Sequence, residues 1–194
     1  MGLSRRARIG LALFVALLAA LALGSLVALV VNSNGSTPPT PSTRVIQRCL
    51  TGQLRVRPGT SEGALGHIGV VVHFTNRSRS TCVLYGYPGM QMLDAAGKPI
   101  PTSVERGIAY TVPKVPERAF ELSPGGVASF DLGYSDSTGY GNETCPSSTR
   151  VEITPPNDFK PLTIAWRIEP YGGDIPHLKC GEITVSPVFA GAGT

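Results

Sequence analysis

The sequence predicts an all-β protein, an immunoglobulin-like antiparallel β-sandwich preceded by one N-terminal transmembrane helix. Three observations predict it. Short segments alternate apolar and polar residues with period two. Clusters of Gly, Pro, Asn and Asp separate these segments as turn signals. A single charge-free apolar run, long enough to cross a bilayer, lies near the start. Composition agrees, because 23 Gly, 17 Pro and only 15% charged residues favour many short elements joined by tight turns over long surface helices.

Taken in order, residues 1–8 carry Arg5, Arg6 and Arg8 and are expected in the cytoplasm under the positive-inside rule. Residues 9–31 contain no charge. As a helix that run extends about 35 Å, against a hydrocarbon core of about 30 Å. The apolar part of a cleaved signal is usually shorter, about 7 to 15 residues. Cleavage before Ser25 would leave residues 25–31 as an apolar tail, so an uncleaved signal anchor is expected, with secretion after cleavage as the alternative. Residues 32–43 have no apolar side chain beyond proline and read as a disordered tether. Residues 44–190 are then an extracytoplasmic sandwich domain on a single-pass membrane protein.

The net charge of +4 is concentrated before the apolar run: without its three arginines the chain has 17 − 3 = 14 bases against 13 acids. A nearly neutral domain without a basic patch is not expected to bind nucleic acid. Asn34, Asn76 and Asn142 each begin a glycosylation triplet.

Four cysteines, Cys49, Cys82, Cys145 and Cys180, fall on the exported side, where an even number is read as two disulfides. Sequence allows three pairings. The expected one joins Cys49 to Cys82 and Cys145 to Cys180, which closes two separate loops of similar length. No pair has the close spacing of a zinc site.

Within the domain, Leu162, Ile164, Trp166 and Ile168 alternate with Thr163, Arg167 and Glu169, as in a strand with one buried face. Ala128, Phe130, Leu132 and Tyr134 are set against Ser129 and Asp131 in the same way, and Val70, Val72 and Phe74 against Val71, His73 and Thr75. RVEIT and EITVSPV repeat the pattern. Eight or nine short strands are expected, and no helix. In TCVLYGYPGMQMLDAAGKPI, residues 86–89 make a bend and the methionines and tyrosines are packing residues.

The motifs TCVLYGYPGMQMLDAAGKPIP, FELSPGGVASFDLGY, CPSSTRVEITPPND and CGEITVSPV, in that order, closely resemble domain-of-unknown-function family 4232. The resemblance runs from about Cys49 to Val188 and rests on the four ordered cysteines, the Gly-Tyr-Pro-Gly bend, the Pro-Gly turn before a strand and the final Val-Ser-Pro-Val. It implies an exported actinobacterial β-sandwich, often on a lipid or transmembrane anchor, and it implies no activity. Many relatives carry a lipid-attachment cysteine directly after the signal. Here the first cysteine lies beyond the tether, so the apolar run is expected to do the anchoring.

Neither a metal nor another cofactor is expected. His67 and His73 share one side of a strand but stand about 20 Å apart, and His73 is read as solvated. His177-x-x-Cys180 lacks the following methionine of a copper-thiolate loop. There is no Gly-x-Ser-x-Gly elbow, and Asp136-Ser-Thr-Gly139 departs from an aspartic-protease loop, so the chain is read as no enzyme. The best candidate for contact is the Gly-rich loop over residues 132–145, with Tyr134, Asp136, Tyr140, Asn142 and Glu143 as ligand or partner residues. The function expected is a membrane-anchored, non-catalytic binding module of a bacterial cell envelope, with an envelope protein or glycan as partner. The alternatives are an envelope hydrolase with an acidic site near Asp136 to Glu143 and, more weakly, a metal carrier.

Overall fold

The computed structural model describes residues 45–107, 111, 113–136, 145–168 and 177–193. The expected cytoplasmic segment, membrane helix and tether therefore lie outside the described residues. Among the described residues, no helix is long and apolar enough to cross a membrane. Val45–Thr194 forms one compact unit.

Alternating β-branched and aromatic side chains put one face of each strand into the core, and the result is all-β and sandwich-like. The larger sheet has the order β1 (Leu54–Ala64), β2 (His67–Asn76), β7 (Val127–Ser135), β12 (Glu182–Val185) and β5 (Ser103–Arg106), with β13 (Phe189–Ala190) also on β7. A second sheet joins β10 (Leu162–Ala165), β9 (Arg150–Thr154) and β4 (Gly89–Leu93). Two short ribbons, β3 (Cys82–Leu84) with β6 (Phe120–Leu122) and β8 (Ser147–Ser148) with β11 (Leu178–Lys179), complete the described strands. The only described helical piece is a 3-10 turn, Thr51–Gln53.

The core lies between the sheets. Val70, Val72, Phe74, Phe130 and Leu132 from the larger sheet join Met90, Met92, Val151, Ile153 and Trp166 in one buried cluster. Phe74 and Phe130 pack at 5.5 Å between ring centroids. Leu162, Ile164, Trp166 and Ile168 all turn inward, the last two almost fully buried, as their alternation predicts.

The described residues form thirteen strands against the eight or nine expected, because several are only two or three residues long, and the structure departs from the sequence reading in three further places. First, the sandwich is not wholly antiparallel, because β5 pairs with β12 in parallel. β4 ends near Arg150, and the chain crosses there to the larger sheet, so β5 and β12 start from the same end. Second, β7 is buried on both faces: Ser129 and Asp131 are 0% exposed. Ser129 Oγ donates to the Gly191 carbonyl at 2.6 Å, and the Thr111 N–H donates to Asp131 Oδ2 at 2.7 Å, so distant segments lie over the face expected to meet water. Third, Asn76 is 0% exposed and is no glycan acceptor in the folded chain. Its amide donates to the Ser80 and Leu122 carbonyls at 2.8 and 2.9 Å, and its oxygen accepts from Ser78 N at 3.0 Å.

Two of the sequence motifs meet in space. The Val188 N–H donates to the Gly86 carbonyl at 2.9 Å, tying the Val-Ser-Pro-Val segment to the Gly-Tyr-Pro-Gly bend. Gly86 has φ +97°, a conformation a side chain would strain. These residue types are thus explained by the fold.

Disulfides join Cys49 to Cys82 and Cys145 to Cys180, the pairing chosen from the sequence. They lie toward opposite ends of the larger sheet. Cys82 pairs with Leu122, whose carbonyl holds Asn76 at the end of β2. Cys180 precedes β12 at the end of β2 where His67 lies. Nine strand steps of about 3.3 Å separate those ends by about 30 Å.

Candidate functional site

On the outer face of the larger sheet, neighbouring strands place their outward side chains in rows. At the His67 end one row runs across four strands. His67 pairs with Ser135, Ile183 with the next β7 residue Tyr134, and Glu182 with Ser103, so His67, Ser135, Glu182 and Ser103 lie side by side. The next row contains Gly69 opposite Gly133, Gly133 opposite Thr184, and Thr184 opposite Glu105. Between these rows is a cleft of about 340 Å³ lined by His67, Ser103, Glu105, Ser135, Glu182 and Thr184 among others. Glycine at 133 leaves bare backbone in its floor.

The chemistry of this lining is two carboxylates, three hydroxyls and one imidazole on rigid strands. Ser135 Oγ lies 3.3 Å from His67 Nδ1. Such a surface accepts hydrogen bonds from several directions and complements ligands rich in hydroxyl or ammonium donors. One wall depends on an unusual backbone. Cys180 and Gly181 have φ 65° and 74°, and the Gly181 carbonyl accepts from Ser103 N at 2.7 Å, which fixes β5 beside β12.

The loop expected to make contact begins at the same end. Its first named residue, Tyr134, is on β7 and not on the loop, only 3% exposed and edge-on to Trp166 at 6.4 Å between centroids. Burial pushes the Tyr134 hydroxyl up to about 12, opposed by the neighbouring Trp166 N–H and reinforced by the Asp136 carboxylate. The indole and phenol polar atoms are close without forming a well-shaped hydrogen bond. Asp136 follows β7, half-buried, its N–H on the Gly66 carbonyl at 3.0 Å. Tyr140, Asn142 and Glu143 lie outside the described residues. The ring of Tyr134 is therefore core, although the residue is among those that line the cleft, whereas Asp136 is not one of the lining residues.

Sequence reasoning missed Ser103, Glu105, Glu182 and Thr184. The signal for Glu182 and Thr184 was their outward place in EITVSPV. Nothing local marked Glu105 as their neighbour, since the parallel pairing joins distant segments.

His73 also differs from its expected solvated state. It is half-buried, with Nδ1 2.8 Å from Ser129 Oγ, and burial lowers its pKa. No group of three or more His, Cys, Asp or Glu that could hold a metal ion occurs among the described residues. Cys180 is engaged in a disulfide, so its sulfur offers no thiolate to accompany His177.

The family described as a domain of unknown function, DUF4232, matches residues 49–188. No curated protein and no solved structure matches.

Proposed function

Because the chain belongs to the DUF4232 family, whose match spans the sheets, both disulfides and the cleft, we propose that it is a membrane-anchored, extracytoplasmic binding module of a bacterial cell envelope. The domain is an immunoglobulin-like sandwich carried by the apolar segment at 9–31. Two disulfides fit an oxidising compartment outside the cytoplasm. The observation that carries the binding role is the cleft of about 340 Å³ whose carboxylates and hydroxyls stand on paired strands. Its partner is an envelope glycan or protein segment that presents hydroxyl or ammonium donors to Glu105 and Glu182. The hydrolase reading centres on residues 136–143, of which only Asp136 is described, and the observed geometry adds no support to it.

The test is photocrosslinking in intact cells from a benzoyl-phenylalanine at Ser135, with and without Glu105→Gln and Glu182→Gln. An envelope component captured by the parent and lost from the double variant is the expected result. Capture unchanged by the double variant, or identical to capture from exposed Glu62 on β1, would refute the cleft as the binding site.

A further inference from the structure

At the end of the sandwich opposite the cleft, apolar side chains stand in water. Phe159 is 90% exposed, Val45 74% and Leu50 45%. A rigid turn brings Phe159 to the Leu50–Thr51 segment. Thr51 donates its N–H and hydroxyl to Asp158 Oδ2 at 2.7 and 2.8 Å, and Asp158 Oδ1 accepts from Phe159 N at 2.7 Å. The Thr51 hydroxyl also lies within hydrogen-bond reach of the Lys160 carbonyl, the two acceptors sharing its one proton. The Asn157 amide pins the same turn to the Tyr85 carbonyl at 2.9 Å. Phe159 thus projects from a backbone fixed at several points, which lowers the entropy cost of using it for contact.

Basic residues surround this tip. Lys160 follows Phe159, Arg77 N–H donates to the Gln53 carbonyl at 2.7 Å beside the Thr51 turn, and Arg48 bridges to Val83. Arg48, Arg77, Arg79 and Lys160 are all exposed. Asp158 is turned onto its own donors, exposed Glu117 is engaged by the Tyr85 hydroxyl behind the Asn157 turn, and Glu121 lies farther along, opposite Val83.

We propose that this end, Phe159 and Leu50 within their basic surround, rests on the anionic lipid surface of the membrane. An exposed aromatic beside an aliphatic residue and flanked by Arg and Lys is the chemistry of an interfacial contact. The course of the chain favours a lipid occupant over a protein one. Val45 directly follows, and Leu50 shortly follows, the polar residues 32–44, and before those lies the apolar run at 9–31. This proposal rests on the anchor reading for its geometry and is independent of what the cleft binds. Seated this way, the domain turns the cleft outward, away from the bilayer.

The test uses the full chain in vesicles of phosphatidylcholine and phosphatidylglycerol carrying a doxyl-labelled lipid quencher. Two tryptophan reporters are compared, Phe159→Trp and Leu65→Trp; Leu65 is fully exposed at the opposite end of β1, and buried Trp166 is a common background. Phe159→Trp is expected to be quenched at least about twofold more than Leu65→Trp. Adding Arg77→Gln, Arg79→Gln and Lys160→Gln should reduce the difference. Vesicle flotation in high salt keeps the two readings apart. Flotation with equal quenching at both positions would overturn the lipid-facing patch and leave the anchor standing. Binding lost in high salt, with Phe159→Trp still selectively quenched at low salt, would support the patch and refute the anchor. No flotation and no quenching would refute both.

Discussion

An alanine Cβ at Gly59 would lie 2.1 Å from His73 Nε2 and 2.9 Å from the Val71 carbonyl oxygen. That closeness explains both residues. The register of β1 against β2 shifts between Pro58 and Ser61, and the bulge lowers Gly59 onto the imidazole, taking His73 out of water while Ser129 holds its Nδ1. Desolvation penalises the imidazolium, so the folded pKa is below the unfolded value of about 6.5. The unfolded chain then binds the extra proton, and stability rises with pH across that window. Unfolding free energy in urea is expected to be flat above about pH 7 and to fall as pH drops below about 6.5 toward the lowered folded pKa. His73→Gln should remove that slope. Gly59→Ala should cost about 2 kcal/mol at pH 7.5, partly relieved by His73→Ala. A slope unchanged in His73→Gln would place the titration elsewhere. Asp158 does not blur the window. The Thr51 N–H, with further donors and against partial burial, holds that carboxyl down at about 2, so its stabilisation is present above about pH 4 and lost only as pH falls toward 2.

At the scale of elements, the parallel edge pair makes one wall of the cleft, and the turn at Cys180 and Gly181 sets it. A Cβ on Gly181 would approach the Pro101 carbonyl oxygen to 2.5 Å at a φ of +74°. Neither the clash with backbone nor the dihedral can be relieved by a side-chain rotation. Gly181→Ala is expected to destabilise by about 3 kcal/mol and to weaken capture from Ser135, because β5 carries Glu105. Gly125→Ala, also at positive φ but with nothing within 4 Å of its Cβ, should cost only about 1 kcal/mol and leave capture intact. Equal effects from the two would separate the cleft wall from this turn. These elements also show what was legible in the sequence. The segment at 162–168, of which only Leu162–Ala165 is strand, was readable because its inner face touches one core and its outer face touches water. The strand at 127–135 was misread on its outer face, because Thr111 and Gly191 arrive from far along the chain to cover Asp131 and Ser129. The cysteines and the bend at 86–89 were legible as fold. Glu105 beside Thr184 was not, since no local pattern encodes a parallel pairing across the intervening strands.

For the whole molecule, the two disulfides divide the work by position. Their sequence separations of 33 and 35 imply nearly equal loop entropies, about 3.7 kcal/mol each in the chain-entropy model. Stability alone would therefore not tell them apart. Their surroundings do. Cys49–Cys82 adjoins Leu50 and the Thr51 turn that holds Asp158, whereas Cys145–Cys180 lies immediately before Gly181 and Glu182. With the ends about 30 Å apart, perturbations at one should add to those at the other within about 0.5 kcal/mol. Replacing Cys145 and Cys180 by serine is expected to lower stability by about 3 to 4 kcal/mol and to abolish capture from Ser135, while the quenching of Phe159→Trp by labelled lipid persists. Replacing Cys49 and Cys82 should lower stability by a similar amount, weaken the lipid quenching and leave capture intact in the folded fraction. The comparison is made below each variant's unfolding transition, so that loss of fold does not imitate loss of contact. If both replacements diminish both readouts equally, the sandwich behaves as one indivisible unit and the assignment of separate jobs to its two ends fails.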